Sequence, residues 1–319
     1  VADPVYIALE IGGTKLQAAL GTAEGVILER RRSVVDTAKG VPGIIAWCNH
    51  AVSELCGHAA ELALEPAGMG IGFGGPVDTA KGEVIVSHQV EGWNGIDLRQ
   101  ACPLPNGAPV LVVNDANAAG WGEYRLGAGR GADPFVYMNI GSGIGGAFVI
   151  GGKLFDGQGR GGCEIGHTYI SDWTASQPGD IARLEDRCSG WAIEKRIRAW
   201  EGLEPGTPLH TLCDGDAKAL TCALLGQAAD QGDVRAEIEL RENAAALAQG
   251  LANVLALIQP EVIALGGGVS LLGDTLLRPI RKALGVLAFG PCKGRYRIEP
   301  CHLGEDVVLQ GALLLAAEG

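Results

Sequence analysis

The chain has 319 residues, 47% of them hydrophobic and 5% aromatic, and a formal net charge of −12. That is apolar chain enough for two buried cores, and 25 scattered Lys and Arg against 37 Asp and Glu exclude a nucleic-acid-binding face. No apolar run reaches the roughly 18 to 20 residues of a bilayer span and the first ten residues lack a secretory pattern, while nine dispersed cysteines predict reduced thiols, so a two-domain cytoplasmic protein is expected.

Along the chain, Val5 to Leu9 and Leu16 to Leu20 are apolar runs that bracket Glu10-Ile11-Gly12-Gly13-Thr14-Lys15, which predicts a strand, a tight turn and a returning strand. Gly43 to Leu64 carries apolar residues at helical spacing, Met69 to Phe73 reads as a strand, and Val110 to Val113 reads as a strand running into Asn114-Asp115. A helix is predicted from Ala116 to Tyr124. The opening pattern then recurs: Pro134 to Ile140 is a strand, Gly141-Ser142-Gly143-Ile144-Gly145-Gly146 a turn, and Ala147 to Ile150 its partner. Val234 to Ile258 is a long amphipathic helix ended by Pro260, Glu261 to Leu265 is a strand entering Gly266-Gly267-Gly268, and Val307 to Ala317 is a terminal helix. Two halves that open alike predict a duplicated α/β architecture with a nucleotide in the cleft between the copies. The boundary is expected in the glycine-rich stretch from Ala118 to Ala132. This gives a small domain of residues 1–118 plus 305–319 and a large one of residues 119–304.

The glycine segments point to phosphate. Glycine amides form concave anion-binding nests, and Thr14, Lys15 and Ser142 add donors beside them. Gly141 to Gly146 also fits a dinucleotide fingerprint, but that motif needs a helix to open at its glycines, whereas a strand follows here. The first segment lacks P-loop spacing. Asp115, between a strand and a helix, stands at the sheet edge where open α/β folds bind ligands. It has the chemistry of a general base, and by position alone equally that of a helix N-cap. Glu164 and His167, three residues apart, can line one polar pocket; a lone histidine would more often be structural. Trp93 suits either a sugar-facing or a core position.

With these residues in hand the chain resembles the ROK family of sugar kinases, bacterial glucokinases and hexokinases of the actin-like ATPase superfamily. The resemblance runs nearly end to end through Glu10 to Lys15, Gly70-Ile71-Gly72-Phe73-Gly74-Gly75-Pro76-Val77-Asp78, Glu91-Gly92-Trp93, Asn114 to Ala119, Gly141 to Gly146, Gly152-Lys153-Leu154 and Glu164-Ile165-Gly166-His167. It implies a two-domain, ribonuclease H-like α/β fold and ATP-dependent, magnesium-assisted phosphorylation of a hexose at its 6-hydroxyl, glucose first. Asp115 is then the general base, and Asn114, Asp115, Glu164, His167, Glu185 and Gly75 the substrate contacts. Gly12, Gly13, Thr14, Lys15, Gly141, Ser142, Gly143, Gly267 and Gly268 hold ATP, the last two near the adenosine, which favours ATP over polyphosphate. Glu10 meets magnesium through its waters. The resemblance also implies a homodimer. Fructose or an N-acetylhexosamine is the alternative substrate, and a non-catalytic sugar sensor the alternative class; a repressor would need a helix-turn-helix ahead of the first strand.

Two departures from the family pattern stand out. Most relatives carry Asp where this chain has Glu10, the fructokinase-like branch sharing its Glu. Many relatives also follow the histidine with a cysteine-rich segment that holds structural zinc. No cysteine lies between His167 and Glu185, so no structural zinc is expected, and a carboxylate such as Asp172 or Asp180 is expected to orient His167 instead.

Overall fold

A computed structural model describes residues 3–87, 90–175, 177 and 179–319. In chain order the elements are β1 (Val5–Ile11), β2 (Lys15–Thr22), β3 (Ile27–Val34), α1 (Gly40–Glu61), β4 (Pro66–Phe73), β5 (Val77–Asp78), β6 (Glu83–Val84), α2 (Leu98–Ala101), β7 (Val110–Asn114) and α3 (Asp115–Leu126). There follow β8 (Phe135–Ile140), β9 (Ile144–Ile150), β10 (Lys153–Phe155), β11 (Tyr169–Ser171), β12 (Ile181–Arg183), α4 (Glu185–Cys188), α5 (Gly190–Arg198), α6 (Pro208–Leu212), α7 (Cys222–Asp230), α8 (Val234–Ile258), β13 (Val262–Gly266), α9 (Asp274–Leu287), β14 (Arg297–Pro300) and α10 (Val307–Glu318). Among the described residues no helix is long and apolar enough to cross a membrane.

The duplication expected from the recurring pattern is explicit in the strand order. One five-stranded sheet runs β3-β2-β1-β4-β7 and the other β10-β9-β8-β13-β14. In the first, β1 to β3 form an antiparallel meander and β4 and β7 run parallel to β1. In the second, β13 pairs in parallel with both β8 and β14. This is the mixed, twice-used α/β arrangement of an actin-like ATPase.

The chain divides into two compact units, residues 1–131, 147–163 and 302–319, and residues 132–146 and 164–301. This corrects the expected boundary at residues 118/119, which would cut through α3. All of α3 stays in the first unit because it packs along α10, and residues 147–163 join it through contacts such as Thr79 Oγ1 donating to Asp156 Oδ2 at 2.7 Å.

The first unit's core forms where α1 lays Val41, Ile44, Cys48, Val52 and Leu55 over the buried sheet residues Ile7, Leu9, Leu20 and Ile71. Burying each large aliphatic side chain contributes about 1.5–3 kcal/mol. Trp93 belongs to this core: it is 2% exposed and meets Phe73 edge-on, ring centroids 5.1 Å apart. On the opposite sheet face, Ala8 and Ala19 pack with Leu309, Ala312 and Leu313 of α10. The approach there is backbone to backbone. A β-carbon on Gly311 would overlap the Ala118 carbonyl oxygen, and one on Gly70 would overlap the Ala312 carbonyl oxygen. The small residues of α3, β4 and α10 are what allow the helix carrying Asp115 to sit this close.

Candidate active site

The carboxyl ends of three parallel strands converge in the first unit, because register places Ile11 beside Phe73 and Phe73 beside Asn114. The three connections leaving that edge are the Gly12–Thr14 turn, Gly74–Gly75 and the start of α3. Gly74 N–H donates to the Ile11 carbonyl at 2.9 Å. A β-carbon on Gly74 would lie 3.4 Å from both Asp115 Oδ2 and Gly12 Cα, so the carboxylate and the first glycine turn share one small space.

Helix α3 begins at Asp115, one residue earlier than expected, and the N-cap is Asn114. Its Oδ1 accepts from Ala116 N at 2.9 Å and Asn117 N at 3.3 Å, and its Nδ2 donates to the Gly75 carbonyl at 3.1 Å. Asn114 therefore performs the capping that Asp115 could have performed. Asp115 Oδ1 accepts from Ala116 N at 2.7 Å, which orients the carboxylate, and the Gly74 geometry places Oδ2 toward the glycine turn.

Glu10 is 8% exposed and sits opposite Gln17 in the β1–β2 ladder. Its Oε2 accepts from Gln17 Nε2 at 2.7 Å, and its Oε1 pairs with Lys15 Nζ at 3.2 Å. Burial raises the carboxyl above its ordinary value of 4.5, with Lys15 and then Gln17 acting in the opposite direction. Gln17 was not foreseen, although a strand period of two puts it on the same face as Lys15. Its Oε1 is buried with no hydrogen-bond partner among the described residues. That acceptor, and the unused lone pairs of Glu10, suit the waters of a hydrated Mg²⁺, which keeps several waters and needs few protein carboxylates.

The raised Glu10 pKa has a defined sign. The protonated form is favoured by the fold, so its contribution to stability is present below the unfolded pKa and lost as pH rises through the folded one. Glu10 therefore ionises at a higher pH than an exposed glutamate does. Lys15→Met removes the principal influence lowering that pKa and is expected to move the acid limb of a kcat/KM profile to higher pH. A pH–rate series on both proteins reads the limb's position independently of the lost turnover.

The second unit gathers the remaining residues around the Gly141–Gly143 turn. Gly190 N–H donates to the Gly141 carbonyl at 2.7 Å. Gly267 adopts φ 84° against the end of β8, where a β-carbon would overlap Asn139 Oδ1, so only glycine fits this approach. The Gly141–Gly146 and Gly266–Gly268 segments are thereby brought together. Glu185 Oε2 accepts from Ile144 N at 2.7 Å, and a β-carbon on Gly143 would lie 2.6 Å from it. Gly166 packs against the Ile144 backbone, so Glu164 and His167, both exposed, flank the same turn. Thr14 and Ser142 are also exposed, while Lys15, Gly12, Gly13 and Gly75 are half-buried.

The carboxylate expected to orient His167 is engaged elsewhere. Asp172 accepts from Arg187 Nε at 2.8 Å, from Arg187 Nη2 at 2.5 Å and from Thr174 N and Oγ1 at 2.9 and 2.7 Å. The guanidinium and the Thr174 donors hold its carboxyl well below the usual range. Asp180 is exposed at the far end of the β11–β12 hairpin, its backbone paired with Asp172. Burial pushes the Cys188 thiol up to about 12, which disfavours the thiolate that zinc requires. Among the described residues no group of three or more His, Cys, Asp or Glu side chains is gathered for a metal ion. A groove of about 690 Å³ lined by Asp230, Arg241, Asp274, Arg278 and Lys282 includes none of the residues discussed above; convergent polar groups, not volume, mark the site.

The sequence and the fold are similar to those of known proteins. The family model for the ROK family matches residues 6–318. The chain is 32% identical to a glucokinase of Streptomyces coelicolor over 98% of this chain and 97% of that one. It is 33% identical to the bifunctional enzyme NanE/NanK of Brucella melitensis, over 99% of this chain and 54% of that longer protein. Its fold matches a ROK family glucokinase from Streptomyces griseus in complex with glucose and AMPPNP, with a TM-score of 0.81, 31% identity and coverage of 99% and 100% of the two chains. The chain belongs to the ROK family.

Proposed function

We propose that this ROK-family sugar kinase transfers the γ-phosphate of ATP to the 6-hydroxyl of a hexose, with glucose as the preferred acceptor and Asp115 as general base. The observation carrying this reading is the position of Asp115 Oδ2 against Gly74 and Gly12 at the ends of three parallel strands. In-line attack needs a carboxylate that takes the hydroxyl proton and fixed donors for the phosphoryl oxygens. Asn114 supports that carboxylate by capping α3. The amides of Gly12, Gly13, Gly141 and Gly143, with the hydroxyls of Thr14 and Ser142 and the Lys15 ammonium, supply donors. Glu164, His167 and Glu185 supply the acceptors and donors that paired sugar hydroxyls require. Glu10 and Gln17 would hold the waters of a bound Mg²⁺, which would supply neutralisation of phosphate charge. Gly267 and Gly268 receive the nucleoside side of ATP, supporting ATP over polyphosphate.

Glucose is favoured because glucokinases recur among the similar proteins. A coupled ADP-release assay over glucose, fructose, mannose and N-acetylhexosamines, with ATP or polyphosphate as donor, tests the reading. Highest kcat/KM on glucose with ATP is expected, and sugar binding without transfer under magnesium would make the protein a sensor instead. The protein is further proposed to be a cytoplasmic homodimer without structural zinc. Elemental analysis of the purified protein is expected to find less than about 0.1 zinc per chain, against the one ion of a tetrahedral site.

A further inference from the structure

We infer that the Asp172–Arg187 ion pair is a positioning device for the hexose contacts, binding the segment that carries His167 to the segment that carries Glu185. The inference rests on the roles proposed for those two residues above.

Helix α4 is a single turn, Glu185–Cys188, with no side-chain N-cap. One turn fixes several torsions for one hydrogen bond and is not stable alone, so the direction of Glu185 is set by whatever ties α4 down. The preceding hairpin offers little, because β11 and β12 share only three residue pairs. Beyond it, Leu184 N–H donates to the Thr168 carbonyl at 2.9 Å. Side-chain ties hold α4 as well. Glu185 Oε2 accepts from Ile144 N at 2.7 Å, and Asp186 accepts from Arg183 Nε and Nη2 at 2.9 Å. The planar fork of Arg187, two residues after Glu185, grips both oxygens of Asp172, five residues after His167. Of these, the last joins the Glu185 segment to the His167 segment. The Asp172 side chain is only 6% accessible, and Thr174 donates twice more to Oδ1. Bidentate charge-assisted pairing fixes orientation as well as distance.

The tie is anchored in turn to the body of the second unit. Arg196 Nη1 donates to the Arg187 carbonyl at 3.0 Å, and its guanidinium lies 5.3 Å from the centroid of the Trp173 ring. The same guanidinium meets Glu239 Oε1 at 2.5 Å and Asn243 Oδ1 at 3.1 Å on α8. Residues on both sides of the Asp172–Arg187 pair are thus held by one cation. An ion pair of this kind adds little net stability over well-packed apolar side chains, so a geometric task is the better account of it.

The test compares Asp172→Asn, Arg187→Met, the apolar double variant Asp172→Leu/Arg187→Met and the reversed pair Asp172→Arg/Arg187→Asp with wild type, measuring KM for hexose, KM for ATP, kcat and Tm. Wild-type phosphotransfer and the hexose KM of His167→Ala and Glu185→Gln are measured first; a hexose KM unchanged in both would overturn the sugar-contact reading and the tie's role with it, whereas the variants below can overturn the tie alone. Each single substitution is expected to raise the hexose KM about tenfold while KM for ATP and kcat stay within about threefold. The apolar pair is expected to recover wild-type Tm with the hexose KM still raised, and the reversed pair to bring the KM part of the way back. A hexose KM within about twofold of wild type in the singles, or one restored by the apolar pair together with Tm, would overturn the proposal.

Discussion

Asp115→Asn is expected to lower hexose turnover by about 10²- to 10⁴-fold with the KM for hexose and the KM for ATP little changed. The substitution keeps the side chain's size and its ability to accept from Ala116 N–H, the contact that orients it. The helix cap is unaffected because Asn114 provides it. What disappears is the negative charge and the capacity to take the attacking hydroxyl's proton. Steady-state kinetics together with a Tm measurement separates these effects. Turnover within about threefold of wild type would remove Asp115 from the mechanism, because a base contributes at least about 10²-fold.

Gly311→Ala should be the most damaging single methyl group that can be added to the first unit. The new carbon would overlap the Ala118 carbonyl oxygen, which is held in helix α3 and cannot turn aside as a flexible side chain would. Overpacking typically costs about 1–3 kcal/mol and more where backbone must move, and the upper end is expected. Since Ala118 lies one turn beyond Asp115, any displacement of α3 that relieves the clash also moves Asp115, the proposed base. The expected result is therefore a lowered Tm and a lowered kcat in the protein that remains folded, read by thermal unfolding and by kinetics below the transition. Gly57→Ala, on an open surface of α1, is the matched control, expected to leave kcat unchanged and to raise Tm slightly, because Ala is favoured over Gly in a helix interior by about 0.5–1 kcal/mol.

Those elements were legible in the sequence whose signals are local. The strand, glycine turn, strand pattern around Gly12 and again around Gly141 placed two hairpins, and the long amphipathic run placed α8 with the observed bounds, Val234–Ile258. β3 was missed because Ile27–Val34 reads as a charged segment, Glu29 followed by three arginines. It is the outer strand of its sheet, where such charges discourage further pairing. α9 was missed because Pro279 lies inside it and Gly273 precedes it, both of which read as breaks. The site's charged residues were legible as candidates, but their pairings were not. Asp172 and Arg187 are joined across a hairpin too short to show a strand period. Likewise, Glu185 meets a backbone amide 41 residues away, a contact that only the tertiary fold creates. Glu123 left no signal at all: it reads as one more acidic residue on a helix, yet it is fully buried and accepts from the amides of Ala128, His302 and Leu303.

The seating of α10 on α3 and β4 also orders events in time. Roughly 180 residues separate α3 from α10, so at 5–20 residues per second a ribosome spends about 10–40 s between making the helix that bears Asp115 and making the helix that seats it. Through that interval the sheet face of Ala8, Ala19 and Gly70 lacks α10, and by its end the second unit, built from residues 132–146 and 164–301, has all its parts. The unit encoded first is the one completed last, and in a nascent chain the helix bearing Asp115 is seated only as α10 emerges.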